Sequence, residues 1–115
     1  MNMKKITSLA LGAFVLSSLF ATSAMADASR GKMVYMKKLK RMCKKDGLKN
    51  GAVFAIKHDR HGWEKVHESG VLVDEWISIC PSAEKKIKKL RDKDVKNLYD
   101  FVWKYASDGE VPVCG

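Results

Sequence analysis

The stretch that decides the fold is GKMVYMKKLKRMCKKDG, residues 31–47. Its apolar residues recur at intervals of three and four, the spacing that places side chains on one face of an α-helix; they are Met33, Met36, Leu39, Met42 and Cys43. Tyr35 stands beside them, and Gly47 is suited to ending a helix. The pattern predicts one amphipathic helix over residues 29–45.

The beginning of the chain has the features of a secretory signal peptide. Two lysines precede an apolar run from Leu9 to Ala21, and a small-x-small cleavage pattern follows it. The alternative is a membrane anchor, but the run is shorter than the ~20 residues that a spanning helix needs. We therefore expect a signal peptide over residues 1–26, a mature domain over residues 27–115, and a periplasmic or secreted protein with no membrane span after cleavage.

The middle of the chain is predicted to be helical with one long loop. Residues 48–58 lack a helical period and are predicted to form that loop. Asp59 is placed to cap a short helix that Gly70 would end. Residues 71–80 fit either a strand or a helix, and the helix is favoured because the sequence shows no partner strand.

The last third of the chain is predicted to hold a lysine-rich turn and a long helix. Pro81 breaks the preceding element, and Ser82 is placed to cap the turn. Asp92 or Asp94 would cap the last helix, whose predicted inner face consists of Val95, Leu98, Tyr99, Val102 and Ala106. The predicted fold class is therefore all-α, in one small domain.

Two separated segments resemble a class I cytochrome c. They are Gly31, Val34 and Tyr35 in the first helix, and LRDKDVKNLYDFVWKYA at residues 90–106. The resemblance spans most of residues 29–106, and it implies a cytochrome c-like domain in which the glycine and aromatic residues of the first helix pack against the last helix.

The haem-attachment motif of that family, C-x-x-C-H, is absent from this chain. The family's spacing places Leu39 and Met42 where the two haem-bonding cysteines would stand, and Cys43 where the proximal histidine would stand. Covalent attachment needs two thiols and an adjacent imidazole ligand, so no covalent haem is expected. A non-covalent or atypical haem stays open, with Cys80, His58 and His61 as candidate ligands.

Three cysteines in an exported domain favour one disulfide and one spare thiol; they are Cys43, Cys80 and Cys114. The sequence alone leaves all three pairings open. The resemblance favours Cys43 with Cys80, because Cys80 and Pro81 stand near the place where the family often has Met-Pro, and closure of a haem-free pocket would bring the two cysteines together. His58, His61 and His67 are predicted to be exposed, and no metal site is predicted because a site needs three or four converging ligands.

Positive charge is concentrated in the first helix. Removing residues 1–26 leaves 20 basic and 13 acidic residues, a net charge of +7. Eight of the basic residues and only one acid lie within residues 32–49. A solvated docking surface is predicted on the outward face, at Lys37, Lys40, Arg41 and Lys44, with Met36, Leu39 and Cys43 turned inward.

These features favour a binding function over catalysis. The sequence contains no nucleophile elbow, zinc-protease motif or phosphate-binding loop, so no enzyme is predicted. The expected function is a periplasmic accessory module that docks an acidic redox protein and works as a monomer; nucleic acid is a poor partner for an exported protein. The alternatives are an electron carrier with unusual haem ligands and a protein that handles thiols or metals.

Overall fold

The computed structural model describes residues 27–111, and this part of the chain is helical with no strand. The first helix, α1, covers residues 27–44. The helices that follow it are α2 (Gly51–Ala55), α3 (Arg60–Glu68), α4 (Leu72–Ile79), α5 (Glu84–Lys88) and α6 (Asp92–Lys104), with a 3₁₀ turn at Pro81–Ala83 before α5. The all-α prediction is confirmed. None of these described helices has the length and apolar character needed to cross a membrane.

A π-helical turn interrupts α1 at Tyr35–Leu39. The backbone N–H of Lys40 donates to the carbonyl oxygen of Tyr35, five residues earlier, so this turn holds more residues than an α-helical turn. Tyr35, Leu39 and Cys43 are buried, whereas Met33 and Met36 are 47% and 46% exposed. The predicted inner face was therefore wrong at both methionines. The buried positions Ala28, Gly31, Tyr35, Leu39 and Cys43 themselves recur at three and four, and Met33 and Met36 lie off that stripe.

The prediction of a loop over residues 48–58 was also wrong, because α2 lies inside it. The side-chain oxygen of Asn50 accepts a hydrogen bond from the backbone N–H of Val53 at 3.1 Å and caps this short helix. Phe54 and Ala55 are buried in the core. Five residues are too few to show a helical period, and α2 is held by its cap and by tertiary packing.

The two predicted helices in the middle of the chain are confirmed. Asp59 caps α3, since its carboxylate accepts from the backbone N–H of Gly62 at 2.6 Å, and Gly70 follows the helix with a φ of +73°. The ambiguous segment is helical as α4, with Leu72 and Trp76 buried.

The cap predicted for α5 was wrong, and of the two residues predicted to cap α6 only Asp94 takes part. Ser82 does not cap α5, because its backbone N–H and hydroxyl both donate to Asp46, at 2.8 and 2.7 Å. The N-cap of α6 is Arg91, and Asp94 acts from the third helical position by accepting from the backbone N–H of Arg91 at 3.3 Å. Asp92 is exposed within the first turn.

The first and last helices pack closely, as predicted. A Cβ atom added to Gly31 would overlap the backbone carbonyl of Asn97 in α6 and lie 2.7 Å from Cβ of Phe101. Only a glycine allows this separation of the two backbones. Leu98 and Val102 enter the core as predicted, while Tyr99 is half-buried and stacks on His67 with 4.3 Å between ring centroids.

Five aromatic residues are fully buried between these helices, and four of them pack together around Phe54. The ring of Phe54 lies 5.1 Å from that of Tyr35, 6.5 Å from that of Trp63 and 6.3 Å from that of Trp76, between centroids. The indole N–H of Trp63 donates to the carbonyl oxygen of Ala55 at 2.8 Å. The Tyr35 hydroxyl and the Trp76 indole N–H have no hydrogen-bond partner among residues 27–111, and burial raises the pKa of Tyr35 to about 12.

Candidate docking face

A buried disulfide joins the end of α1 to the residue that follows α4. The sulfur atoms of Cys43 and Cys80 are 2.06 Å apart, their Cα atoms are 5.3 Å apart, and both residues are fully buried. The structure therefore contains the Cys43–Cys80 disulfide that the sequence analysis favoured. Cys114 lies outside the described residues.

Two hydrogen bonds also link the end of α1 to the segment that follows α4. Asp46, two residues beyond the end of α1, accepts both hydrogen bonds from Ser82. The buried side chains of Ala83, in the preceding turn, and of Ile87 pack α5 against the core. The disulfide, the Asp46–Ser82 contact and this apolar packing together hold the lysine-rich α5 region alongside α1.

Two hollows form where the α5 region meets α1. The first, which we call the cationic hollow, has a volume of about 260 Å³ and is lined by Lys37, Lys38, Arg41, Met42, Lys45 and Lys86. The second, which we call the Met42 hollow, has a volume of about 490 Å³ and is lined by Met42, Pro81, Ser82, Glu84, Lys85, Lys86 and Lys89. Because Met42 and Lys86 line both, the two hollows form one continuous surface.

This surface, the basic face, comprises seven cationic side chains around the two hollows: Lys37, Lys38, Arg41, Lys45, Lys85, Lys86 and Lys89. Lys38 is neutralised by Asp94, whose carboxylate lies 3.1 Å from its ammonium group. The acid beside the Met42 hollow, Glu84, pairs with Lys88 at 2.7 Å. The other six cations of the basic face form no ion pair with any residue that the structure describes.

Asp94 fixes the edge of the basic face where α1 meets α6. Hydrogen bonds from the Arg91 side chain and from Lys38 lower the pKa of Asp94 to about 2, against the opposing effect of burial. The carboxylate therefore stays ionised at neutral pH. Its charge holds Lys38 toward α6 and leaves the remaining cations of α1 free to face outward.

The predicted docking residues are divided between different surfaces. Lys37 and Arg41 line the cationic hollow. Lys40 is half-buried and lines neither hollow, and Lys44 lines a separate hollow with Gly47, Leu48 and Lys49. Sequence reasoning missed Lys38, which was not placed on the predicted outward face, and Lys45, which follows the end of α1. It missed the α5 lysines because their position depends on the disulfide; the run KK at residues 85–86, close after Cys80, was the available signal.

The residues considered for haem do not converge on a common site. Leu39 is fully buried in the core, Met42 is half-buried in the lining of both hollows, and Cys43 and Cys80 are bonded to each other. The imidazole Nε2 of His58 lies 2.6 Å from a carboxylate oxygen of Glu75, and His61 is exposed.

The candidate thiol ligands Cys43 and Cys80 are already joined in a disulfide, and buried aromatic side chains fill the space between the helices. Within residues 27–111, no group of three or more histidine, cysteine, aspartate or glutamate residues is arranged to hold a metal ion.

Comparison of the chain with protein-family models, with curated proteins and with solved structures gives no match.

Proposed function

We propose that this protein is an exported, cytochrome c-like accessory module that docks an acidic partner protein of a redox or electron-transfer system through its basic face. The observation that carries the proposal is the pair of adjoining hollows, bordered by six cations without ion-pair partners among the described residues. Charge of one sign lining a concave surface focuses its electric field and attracts the opposite charge over a distance.

The construction of the basic face supports a binding role over a merely solvated surface. A solvated helix face needs only one helix, whereas here a buried disulfide and a pair of hydrogen bonds bring lysines from two distant segments together. Concentrating like charges is unfavourable for folding, since each cation repels the others. An acidic partner would relieve that repulsion.

Two further observations support the cytochrome c-like fold and the export that the proposal includes. The close approach of α1 and α6 at Gly31 is the arrangement expected of a cytochrome c-like domain. The signal-peptide pattern and the disulfide both favour an oxidising compartment such as the periplasm.

The test compares charge reversal on the basic face with the same reversal elsewhere. The variant Lys37→Glu/Arg41→Glu/Lys86→Glu changes three exposed cations of the face. The control Lys57→Glu/Lys65→Glu/Lys93→Glu changes three exposed lysines outside it and gives the same net charge. Circular dichroism spectra and melting curves should show that both variants fold.

We expect the wild type and the control to capture the same acidic periplasmic proteins at low salt, and the face variant to lose them. Capture should weaken steeply between about 0.05 and 0.2 M salt, because screening shortens the range of the attraction. The proposal fails if the face variant and the control capture the same proteins, or if capture does not depend on salt.

A further inference from the structure

The two hollows of the basic face differ in chemistry. The cationic hollow is lined by charged side chains with Met42 as its one apolar residue. The Met42 hollow, which is nearly twice as large, is lined by Met42, Pro81, Ser82 and three lysines, and by Glu84, whose charge Lys88 neutralises. A purely electrostatic docking surface has no need of this apolar floor.

An apolar floor with a cationic rim suits one kind of ligand. Lysine stems cover apolar surface while their ammonium groups stay in water, so a group entering the Met42 hollow meets hydrocarbon below and positive charge around it. The unbranched, polarisable methionine side chain adapts to ligands of different shape. The matching ligand has an apolar group flanked by negative charges.

The concave shape favours a protein segment over a membrane surface. A bilayer surface is flat on this scale and would rest on the rim of the hollow without filling it. Adsorption on a bilayer uses protruding apolar side chains, whereas Met42 is half-buried in the lining of the hollow. A polypeptide can place one side chain into the hollow while carboxylates on either side of it reach the rim.

We infer that the Met42 hollow binds a single apolar side chain of an acidic partner segment, whose flanking carboxylates pair with Arg41 and Lys45 on one side and with Lys86 and Lys89 on the other. This inference rests on the proposed docking function and specifies what the partner presents. Charge attraction brings the partner to the basic face, and the apolar side chain selects which acidic segment stays bound.

The probes are two fluorescently labelled heptapeptides, each with six glutamates around a central residue that is leucine in one and serine in the other. Their binding to the full mature protein is measured by fluorescence anisotropy at low salt. We expect the leucine peptide to bind about ten-fold more tightly than the serine peptide, as burial of one leucine side chain predicts.

The variant Met42→Gln keeps an unbranched side chain of similar length but removes its apolar character. We expect it to abolish the preference for leucine while leaving the weaker binding of the serine peptide in place. The control Met36→Gln changes an exposed methionine of the same helix that lines neither hollow, and it should keep the preference. Pro81→Ser, at another part of the lining, is the second test variant if Met42→Gln does not fold.

The outcomes distinguish this inference from the proposed function. If both peptides bind the wild type equally and in a salt-dependent manner, the apolar anchor is refuted and electrostatic docking stands. If neither peptide binds at low salt, the docking function itself is refuted. If phosphatidylglycerol vesicles bind more tightly than the leucine peptide and lose binding in Met42→Gln, the hollow takes a lipid and the inference is overturned.

Discussion

At the level of single residues, Gly31 sets the distance between the first and last helices. Its α-carbon faces the backbone of Asn97, and any side chain there would force the two helices apart. We expect Gly31→Ala to lower the free energy of unfolding by about 1–3 kcal/mol, even though alanine favours an isolated helix.

Ser29→Ala is the matched control for Gly31→Ala, because Ser29 is exposed on the same helix. Urea unfolding curves of the two variants and the wild type make the comparison. Equal midpoints for all three proteins would contradict the close approach of α1 and α6.

The buried carboxylate of Asp94 makes stability depend on pH in the acid range. Its pKa of about 2 in the folded protein lies below the ordinary value of 3.8, so the unfolded chain binds the proton more readily. The stabilisation from Asp94 is therefore complete above the unfolded value and is lost as the pH falls through the folded value. We expect Asp94→Asn to lower the free energy of unfolding by about 1–3 kcal/mol at neutral pH, and by much less near pH 2.

The control for this titration is Asp92→Asn, which removes an exposed carboxylate from the same helical turn. Denaturant unfolding at a series of pH values gives the free-energy difference between each variant and the wild type. A difference for Asp94→Asn that stays constant down to pH 2 would show that its ion pairs contribute nothing to stability.

At the level of helices, the disulfide is one of the contacts that hold α5 alongside α1. The bond joins residues separated by 37 positions, and closing a loop of this length restricts the unfolded chain by roughly 3–4 kcal/mol. We expect Cys43→Ser/Cys80→Ser to lower the free energy of unfolding by about that amount. Among molecules that remain folded, the same variant should bind the leucine peptide more weakly, because only Asp46 and the α5 core contacts then hold the two lysine-rich segments together.

Cys114→Ser is the control for the disulfide variant, since it removes the third thiol and leaves the Cys43–Cys80 pair intact. Denaturant unfolding reports stability, and anisotropy reports peptide binding. If the double variant matches the control in both measurements, the disulfide has no part in building the basic face.

The helices that the sequence predicts well are those with local signals of sufficient length. Asp59 and Gly70 mark the two ends of α3, and the apolar spacing of α6 extends over more than three turns. The five residues of α2 carry no such signal, because their stability comes from contacts with distant helices. The π turn at Tyr35–Leu39 escaped notice for a related reason: one additional residue in a turn leaves a sequence pattern that still fits an α-helix.

At the level of the whole molecule, the basic face combines charge that the sequence shows with a shape that only the fold provides. The cations of α1 were visible as a cluster, and two of them, Lys37 and Arg41, line the cationic hollow. The other cations of the basic face, Lys85, Lys86 and Lys89, belong to the α5 region, about forty positions later in the chain. Their position depends in part on the Cys43–Cys80 pairing, which the sequence alone left open among three choices.

The aromatic interior provides the folded protein with an optical signal of its own. Trp63 and Trp76 are shielded from water, and the Trp76 indole lacks a hydrogen-bond partner among the described residues, while half-buried Trp103 donates to a carboxylate oxygen of Glu64 at 2.8 Å. Indole emission moves to longer wavelength when water can reorient around the excited ring. Folded protein should consequently emit toward the blue and unfolded protein toward the red, so the chain reports its own state without any attached dye.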